Sequence, residues 1–309
     1  MIGLVVMLLK HTIMRSFPIL VAALGEVYSE RSGVLNLGCE GIIAMGAATG
    51  FLATYFSGNP LIGFLTGLLT GMVFGLLHSY LSVTLRINQL ISGLSIWILG
   101  IGLSSLLYRI SIGITTALPV LATLRDIPVP LLSDIPVIGP VLFRQNALIY
   151  LMYVMIPVLY VVLFKTSIGL SIRAVGENPR VADTLGINVF RTRYACVLFA
   201  TSLMGLAGAY LSLVEIGTFT EGIGAGRGWI ALALVIFGRW NPLVVFLGSL
   251  LFAGLEAYQY QLQLVSPGIP YQFLQMIPYI ATIAVLIYAY RRAEAPAALA
   301  TPYERKELI

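Results

Sequence analysis

Charge is what this sequence has least of. Asp, Glu, Lys and Arg make up only 10% of its 309 residues, where a soluble domain carries about 25%. A soluble chain of this length needs a far larger polar shell. Cysteine is almost absent: Cys39 lies beside one apolar run and Cys196 inside another, which argues against a disulfide framework. The two histidines, His11 and His78, have no cysteine pair near them and make no metal site. Lysine occurs only at Lys10, Lys165 and Lys306, preceded by Leu9, Phe164 and Arg305. A phosphate-binding loop needs Gly-Lys-Ser/Thr, so no Walker A motif is present. No residues are spaced as a nucleophile triad or a general acid–base pair, and no catalytic residue is expected. The opening MIGLVVMLLK lacks the basic n-region and small-residue cleavage site of a signal peptide.

What is present is apolar sequence in long runs, 59% of all residues. A helix needs about 20 apolar residues, at 1.5 Å rise each, to cross a bilayer. Candidate spans are 2–28, 41–57, 60–85, 87–108, 147–164, 194–214, 228–239, 242–262 and 273–290. The first is interrupted by Lys10, His11 and Arg15 and crosses once or only in part, and 228–239 is short. The expected fold is an all-α polytopic membrane bundle of about eight or nine transmembrane helices.

The net charge of +5 would suggest nucleic acid in another setting. Here the basic residues sit between apolar runs, where topology explains them, and no nucleic-acid partner is expected. With the loop at 165–193 in the cytoplasm, Arg31, Arg86, Lys165, Arg173, Arg180, Arg191, Arg193, Arg239, Arg291, Arg292, Arg305 and Lys306 fall inside. Arg109, Arg125, Arg144 and Arg227 fall outside, and Lys10 and Arg15 stay unassigned. That bias puts the tail from Arg291 in the cytoplasm and leaves the side of the N-terminus open. The segment 109–145 is then external. Its prolines Pro119, Pro128, Pro130, Pro136 and Pro140 forbid a continuous spanning helix.

Two glycine patterns stand out. Gly63, Gly67, Gly71 and Gly75 recur every four residues, so they share one helix face where a neighbouring backbone can approach closely. The neighbour is another helix of this chain or a second membrane subunit, and packing within the chain is favoured. Gly222, Gly224, Gly226 and Gly228 alternate. They read as an unwound elbow beside a short span, tolerated only where buried or wet.

Asn36, Glu40, His78, Asn88, Gln89, Glu215 and Glu256 lie in or near spans and must face protein or water. For His78, Asn88 and Gln89, helix anchoring or interhelical hydrogen bonding is expected. Asn36, Glu40 and Glu215 are the candidates for a translocation path. Three Asn-Pro pairs, Asn59-Pro60, Asn178-Pro179 and Asn241-Pro242, read as helix starts, because Asn caps free N–H groups and Pro has none to satisfy.

The most organised polar stretch runs from Gly169 to Asn188. Asn178 caps a helix of about two turns that Pro179 begins and Gly186 ends. Val181 and Leu185 lie on one face, extended by Ala182 and Ile187. Such a face suits a groove on a soluble partner or the lipid surface, and the residues alone leave both open. The stretch resembles the cytoplasmic coupling loop of ABC importer permeases, on Arg173, Ala174, Gly176, Asn178, Ala182, Gly186 and Ile187. A second segment, Glu30-Arg31-Ser32-Gly33-Val34-Leu35-Asn36-Leu37-Gly38-Cys39-Glu40-Gly41, resembles the bacterial permeases of nucleoside and simple-sugar uptake, which belong to the larger set that includes branched-chain amino acid permeases. The likeness covers about residues 15–290, and Cys39 departs from it where a simple apolar residue is expected.

The resemblance implies a permease domain at 1–290, type II-like, in a multi-pass bacterial plasma (inner) membrane protein with a cytoplasmic tail at 291–309. It implies four kinds of partner: ATPase subunits, a second and related permease chain, an external solute-binding protein, and the bilayer. ATP and Mg²⁺ would be bound by the ATPase and no cofactor by this chain. Arg173, Ala174, Gly176, Glu177, Asn178, Pro179, Ala182, Gly186 and Ile187 would form the ATPase-coupling surface. Two other readings are an ion-gradient-driven secondary transporter, with the glycine-rich breaks near 33–41 and 222–228 as its broken helices, and a membrane-embedded enzyme, for which no convergent site is present.

Overall fold

In the computed structural model, which describes residues 2–113, 119–265, 270–290 and 294–304, the apolar runs form helices. They are α1 (Ile2–Arg31), α2 (Cys39–Ser57), α3 (Pro60–Ser79), α4 (Gln89–Ile112), α5 (Ile138–Leu142), α6 (Ala147–Lys165), α7 (Ser167–Glu177), α8 (Pro179–Thr184), α9 (Val189–Tyr210), α10 (Arg227–Phe237), α11 (Pro242–Val265) and α12 (Tyr271–Tyr290). A π-helical turn extends α3 to Thr84 and another extends α9 to Glu215. Asparagine starts six of the helices. The side chains of Asn59, Asn88, Asn146, Asn178, Asn188 and Asn241 each accept from a backbone N–H two or three residues on, which satisfies one of the donors a helix start leaves free.

Seven helices among the described residues are long and apolar enough to cross a membrane. Among the expected spans, one is too short. The span at 228–239 is the 11-residue α10, about half the length a crossing requires. The span at 273–290 is α12, 20 residues with no charged side chain. The N-terminal interruption is no break: α1 runs 30 residues through Lys10, Arg15 and Pro18. Its charges are matched, Lys10 by Asp126 at 2.5 Å and Arg15 by two carboxylates of the core.

The core sits where α1, α2 and α9 meet, with Phe17, Leu20, Leu24, Ile42, Ile43, Phe51, Met204 and Tyr210 buried in one cluster. The glycine face of α3 packs on α9. A side chain at Gly67 would press on the Ala209 Cβ and the Gly205 carbonyl, one at Gly71 on Thr201 and the Gly205 amide, and one at Gly75 on Thr201. Gly63 lies against Gly50 of α2 and Leu213. The seam therefore joins helices of this chain. The opposite face of α3, with Leu61, Leu65, Leu69 and Val73, is exposed.

Contacts sort the helix ends into two sides. Lys10 reaches Asp126, Arg109 reaches Glu221, and the Leu121 amide donates to the Gly217 carbonyl, so the N-terminal end of α1 shares a side with the 109–145 loop. Among the described residues of that loop, the regular elements are α5 and one antiparallel pair, Ile127–Pro128 with Arg144–Gln145. At the other end Arg31 donates to the carbonyls of Arg239 and Trp240, and Arg86 pairs with Glu304. Arg291, Arg292, Arg305 and Lys306 lie outside the described residues.

Candidate functional site

The alternating glycines make the elbow the sequence suggests, and its purpose is visible in what it closes on. Gly222 and Gly226 have φ of +75° and +79°, open to glycine at little cost. A Cβ at Gly224 or Gly228 would strike the Glu40 carboxyl or backbone. With both faces clear, the elbow brings two backbone N–H groups onto one carboxylate. Gly226 donates to Glu40 Oε1 at 2.9 Å and Gly228 to Oε2 at 2.7 Å. Glu40 is 8% exposed. Its negative charge sits at the N-terminus of α10, where free N–H groups and the helix dipole favour an anion.

Arg227 opens α10 and is only 5% exposed. The sequence reading counts it among the external charges between spans; the structure buries it within the bundle. Its Nη2 donates to Glu215 Oε1 at 2.9 Å and to Glu256 Oε1 at 2.6 Å. Arg15 Nη1 lies 3.3 Å from Glu256 Oε1 and 3.4 Å from Glu215 Oε1, and its guanidinium stacks 4.1 Å over the Tyr260 ring. Two cations and two carboxylates from four segments thus form one neutral quartet. Buried charges are tolerated in an apolar bundle only when paired in this way.

Of the three path candidates, Glu40 and Glu215 converge on the first turn of α10. Asn36 does not join them. Its amide donates to Glu26 Oε1 at 2.9 Å, and its side-chain oxygen accepts from the Gly38 amide at 2.8 Å, so it shapes the α1–α2 turn. Glu26 and Glu30 are buried beside it, and Glu30 Oε2 accepts from Trp240 Nε1 at 2.6 Å. His78 bridges Ser92 Oγ at 3.0 Å and the Leu35 carbonyl at 3.1 Å, while Gln89 accepts from the Leu35 amide at 2.8 Å. These are interhelical ties.

The stretch 165–193 forms two helices, α7 and α8, before α9. Asn178 accepts from the Val181 amide at 3.2 Å, Pro179 is the first residue of α8, and Gly186 follows it with φ +84°. Ala182 is buried against Val175, Val189 and Tyr303, with Ala174 and Ile187 at the margin. Val181 and Leu185 project outward, so Ala182 and Ile187, expected to extend their face, instead turn inward. Gly176 lets α7 approach the Arg31 carbonyl, and Arg173 stacks on Phe164 at 5.3 Å. Residues 294–304, expected only as part of a tail, lie across this pair. The Ala298 amide donates to the Gly176 carbonyl at 2.9 Å, the Ala297 amide to Glu177 Oε2 at 3.3 Å, and Tyr303 Oη to Asp183 Oδ2 at 3.0 Å. The fully buried Arg193 fastens the strap, donating to the carbonyls of Ser32 at 3.2 Å and Thr301 at 3.0 Å.

A bundle of crossing helices with a half-length helix starting inside it, and a short capped helix presented at one end, defines the class as a polytopic membrane permease. The chain belongs to the family described as the branched-chain amino acid transport system permease component, which matches residues 8–286. It is similar to the putative glucose ABC transporter permease protein TsgC13 of Haloferax volcanii, 37% identical over 97% of this chain and 98% of that protein. The nucleoside ABC transporter permease protein NupC of Lactococcus lactis is 36% identical over 94% of each chain. The guanosine ABC transporter permease protein NupQ of Bacillus subtilis is 34% identical, again over 94% of each. No solved structure matches the chain. It is a transport subunit and a multi-pass membrane protein.

Sequence reasoning missed Arg15 and Arg227 as members of a site and left Glu256 unassigned. The available signal was on α11, where Glu256, Gln259 and Tyr260 stand at i, i+3 and i+4 within a span, and so share a face.

Proposed function

We propose that this chain is the membrane-spanning subunit of a binding-protein-dependent ABC importer for a nucleoside or simple sugar. It forms half of the translocation path and couples to a separate ATPase through α8. The names of the similar proteins support the substrate class. The observation that carries the coupling role is α8 itself: a short, capped helix whose Val181 and Leu185 stay exposed while Ala182 anchors it. An exposed apolar pair on a rigid helix suits a groove on a soluble partner. Arg173, Ala174, Gly176, Glu177, Asn178, Pro179, Gly186 and Ile187 hold α8 in place. ATP and Mg²⁺ are handled by the ATPase, and this chain carries no nucleotide site.

The other members are a second, related permease chain, across whose interface the path runs, and an external solute-binding protein that supplies most of the selectivity. The location is the plasma membrane with α8 and the tail in the cytoplasm, supported by the lysine and arginine asymmetry. The test is purification of the tagged chain from its native membrane in mild detergent, with mass spectrometry of what accompanies it. A Walker A ATPase and a second hydrophobic chain in near-equal amounts are expected. A solitary chain that moves solute in liposomes without ATP would replace this reading by an ion-driven transporter, with Glu40 and Glu215 as the candidates for its ion site.

A further inference from the structure

A cavity of about 190 Å³ lies between the glycine elbow, α11 and α12, next to the charge quartet. That is room for about six waters at their liquid volume of ~30 Å³. Its polar lining comes from Arg227, Glu256, Gln259, Tyr260, Gln275 and Tyr279. Gln275 and Tyr279 stand one turn apart on α12, and Tyr279 Oη donates to the Ala225 carbonyl at 2.7 Å, which fixes α12 to the elbow.

Arg227 points to what the cavity takes. The residue is 5% exposed, its Nη2 is held by two carboxylates, and its Nε is buried with no acceptor. Glu215 Oε2, in the same quartet, is buried with no donor. A buried donor left unmet is costly, and a guanidinium presents its donors in a fixed fork. A hydroxyl meets the first need, since its oxygen accepts from a guanidinium and its proton goes to Glu256 or to the amide oxygen of Gln259 or Gln275, which line the cavity as Glu215 does not. The charge on the walls also selects. Arg15 and Arg227 are balanced by Glu215 and Glu256, so an ion entering the cavity gives up hydration and finds no unmatched countercharge. Ile230, Pro278 and the tyrosine rings offer apolar faces to the C–H face of a ring.

We propose that this cavity is a solute subsite for a neutral, hydroxyl-bearing ring, a free sugar or the ribosyl group of a nucleoside. The inference rests on the importer reading and adds to it the residues that touch the solute. Arg227, Glu256, Gln259 and Gln275 hold the hydroxyls, and Tyr260 and Tyr279 hold the ring.

Cys39 and Cys196 are both buried, so a cysteine introduced at an exposed position can be labelled selectively. In the purified complex, Ala225→Cys, which lines the cavity without being among the residues assigned to the solute, is reacted with a polar maleimide in the presence of D-ribose, D-glucose or uridine, and separately ribose 5-phosphate or glucosamine. A neutral solute at ten times its dissociation constant is expected to slow labelling about tenfold, because the open fraction falls as 1/(1 + [L]/Kd). The charged analogues are expected to leave the rate unchanged, and Gln259→Ala in the same background to abolish protection. Protection by uridine alone assigns the ribosyl source, and protection by the free sugars assigns the sugar. Where Ala225→Cys does not assemble, equilibrium dialysis of radiolabelled uridine and D-ribose against the unsubstituted complex, with Gln259→Ala as the control, gives the same readout. No protection by any neutral solute, or equal protection by the charged analogues, overturns the subsite even if ATP-driven uptake is intact. Protection without ATP-driven uptake overturns the importer reading and leaves the subsite standing.

Discussion

Arg227 is a cation placed at the N-terminus of a helix, the end that repels it. Glu215 and Glu256 offset that repulsion and Glu40 occupies the free N–H groups beside it. Arg227→Ala leaves two carboxylates facing each other in the bundle with only Arg15 between them. Removing one partner of a buried pair costs about 3–5 kcal/mol, so the variant is expected to lose its thermal transition in detergent or show it far lower; an unchanged melting temperature would show the quartet to be solvated. The sequence does not disclose the pairing. Counting every arginine as a loop charge works for Arg31 and Arg109 and fails for Arg227, because the partners lie 12 and 29 residues away and only the fold brings them near.

At the scale of elements, the seam between α3 and α9 shows what a four-residue glycine period does in a membrane. Without a hydrophobic force between helices, close backbone approach supplies the dispersion contact. Gly71→Leu would drive a side chain into Thr201 and the Gly205 amide. The expected result is loss of the folded monomer, seen as aggregation on size-exclusion chromatography even when the chain is expressed alone. A variant that folds alone and fails only to join its partner subunit would move the seam to an interface between chains. Helix starts were legible at this scale: Asn-Pro marked α3, α8 and α11, since cap and proline act locally. The strap at 294–304 was not, because the hydrogen bonds that hold it run to Gly176 and Arg193, more than 100 residues away.

For the whole molecule, transport requires two states biased by solute on one side and ATP on the other. The contacts that hold α8 to the bundle are therefore informative. The strap joins α8 through Tyr303 and Asp183, α7 through Ala298 and Gly176, and α9 through Arg193 and Thr301, so α8 moves with the bundle rather than on a loose loop. Deleting residues 294–309 exposes the Val175, Ala182 and Val189 cluster and frees α8. In reconstituted importer the deletion is expected to leave ATPase bound and hydrolysing while solute moved per ATP falls several-fold. An unchanged ratio would show that α8 needs no brace.

The sequence by itself determined that this is a helical membrane protein, where most of its helices begin, which loops share a side, and that α8 is a capped helix with an apolar face. Those features depend on hydropathy and on contacts between residues a few positions apart, which can be read along the chain. Only the tertiary structure decided that α10 starts within the bundle, that Glu40 closes its first turn, that Arg15 and Arg227 share Glu215 and Glu256, and that residues 294–304 strap α7 and α8. Each of these joins residues distant in sequence, and in an apolar bundle a charge is stable only where the fold supplies its partner.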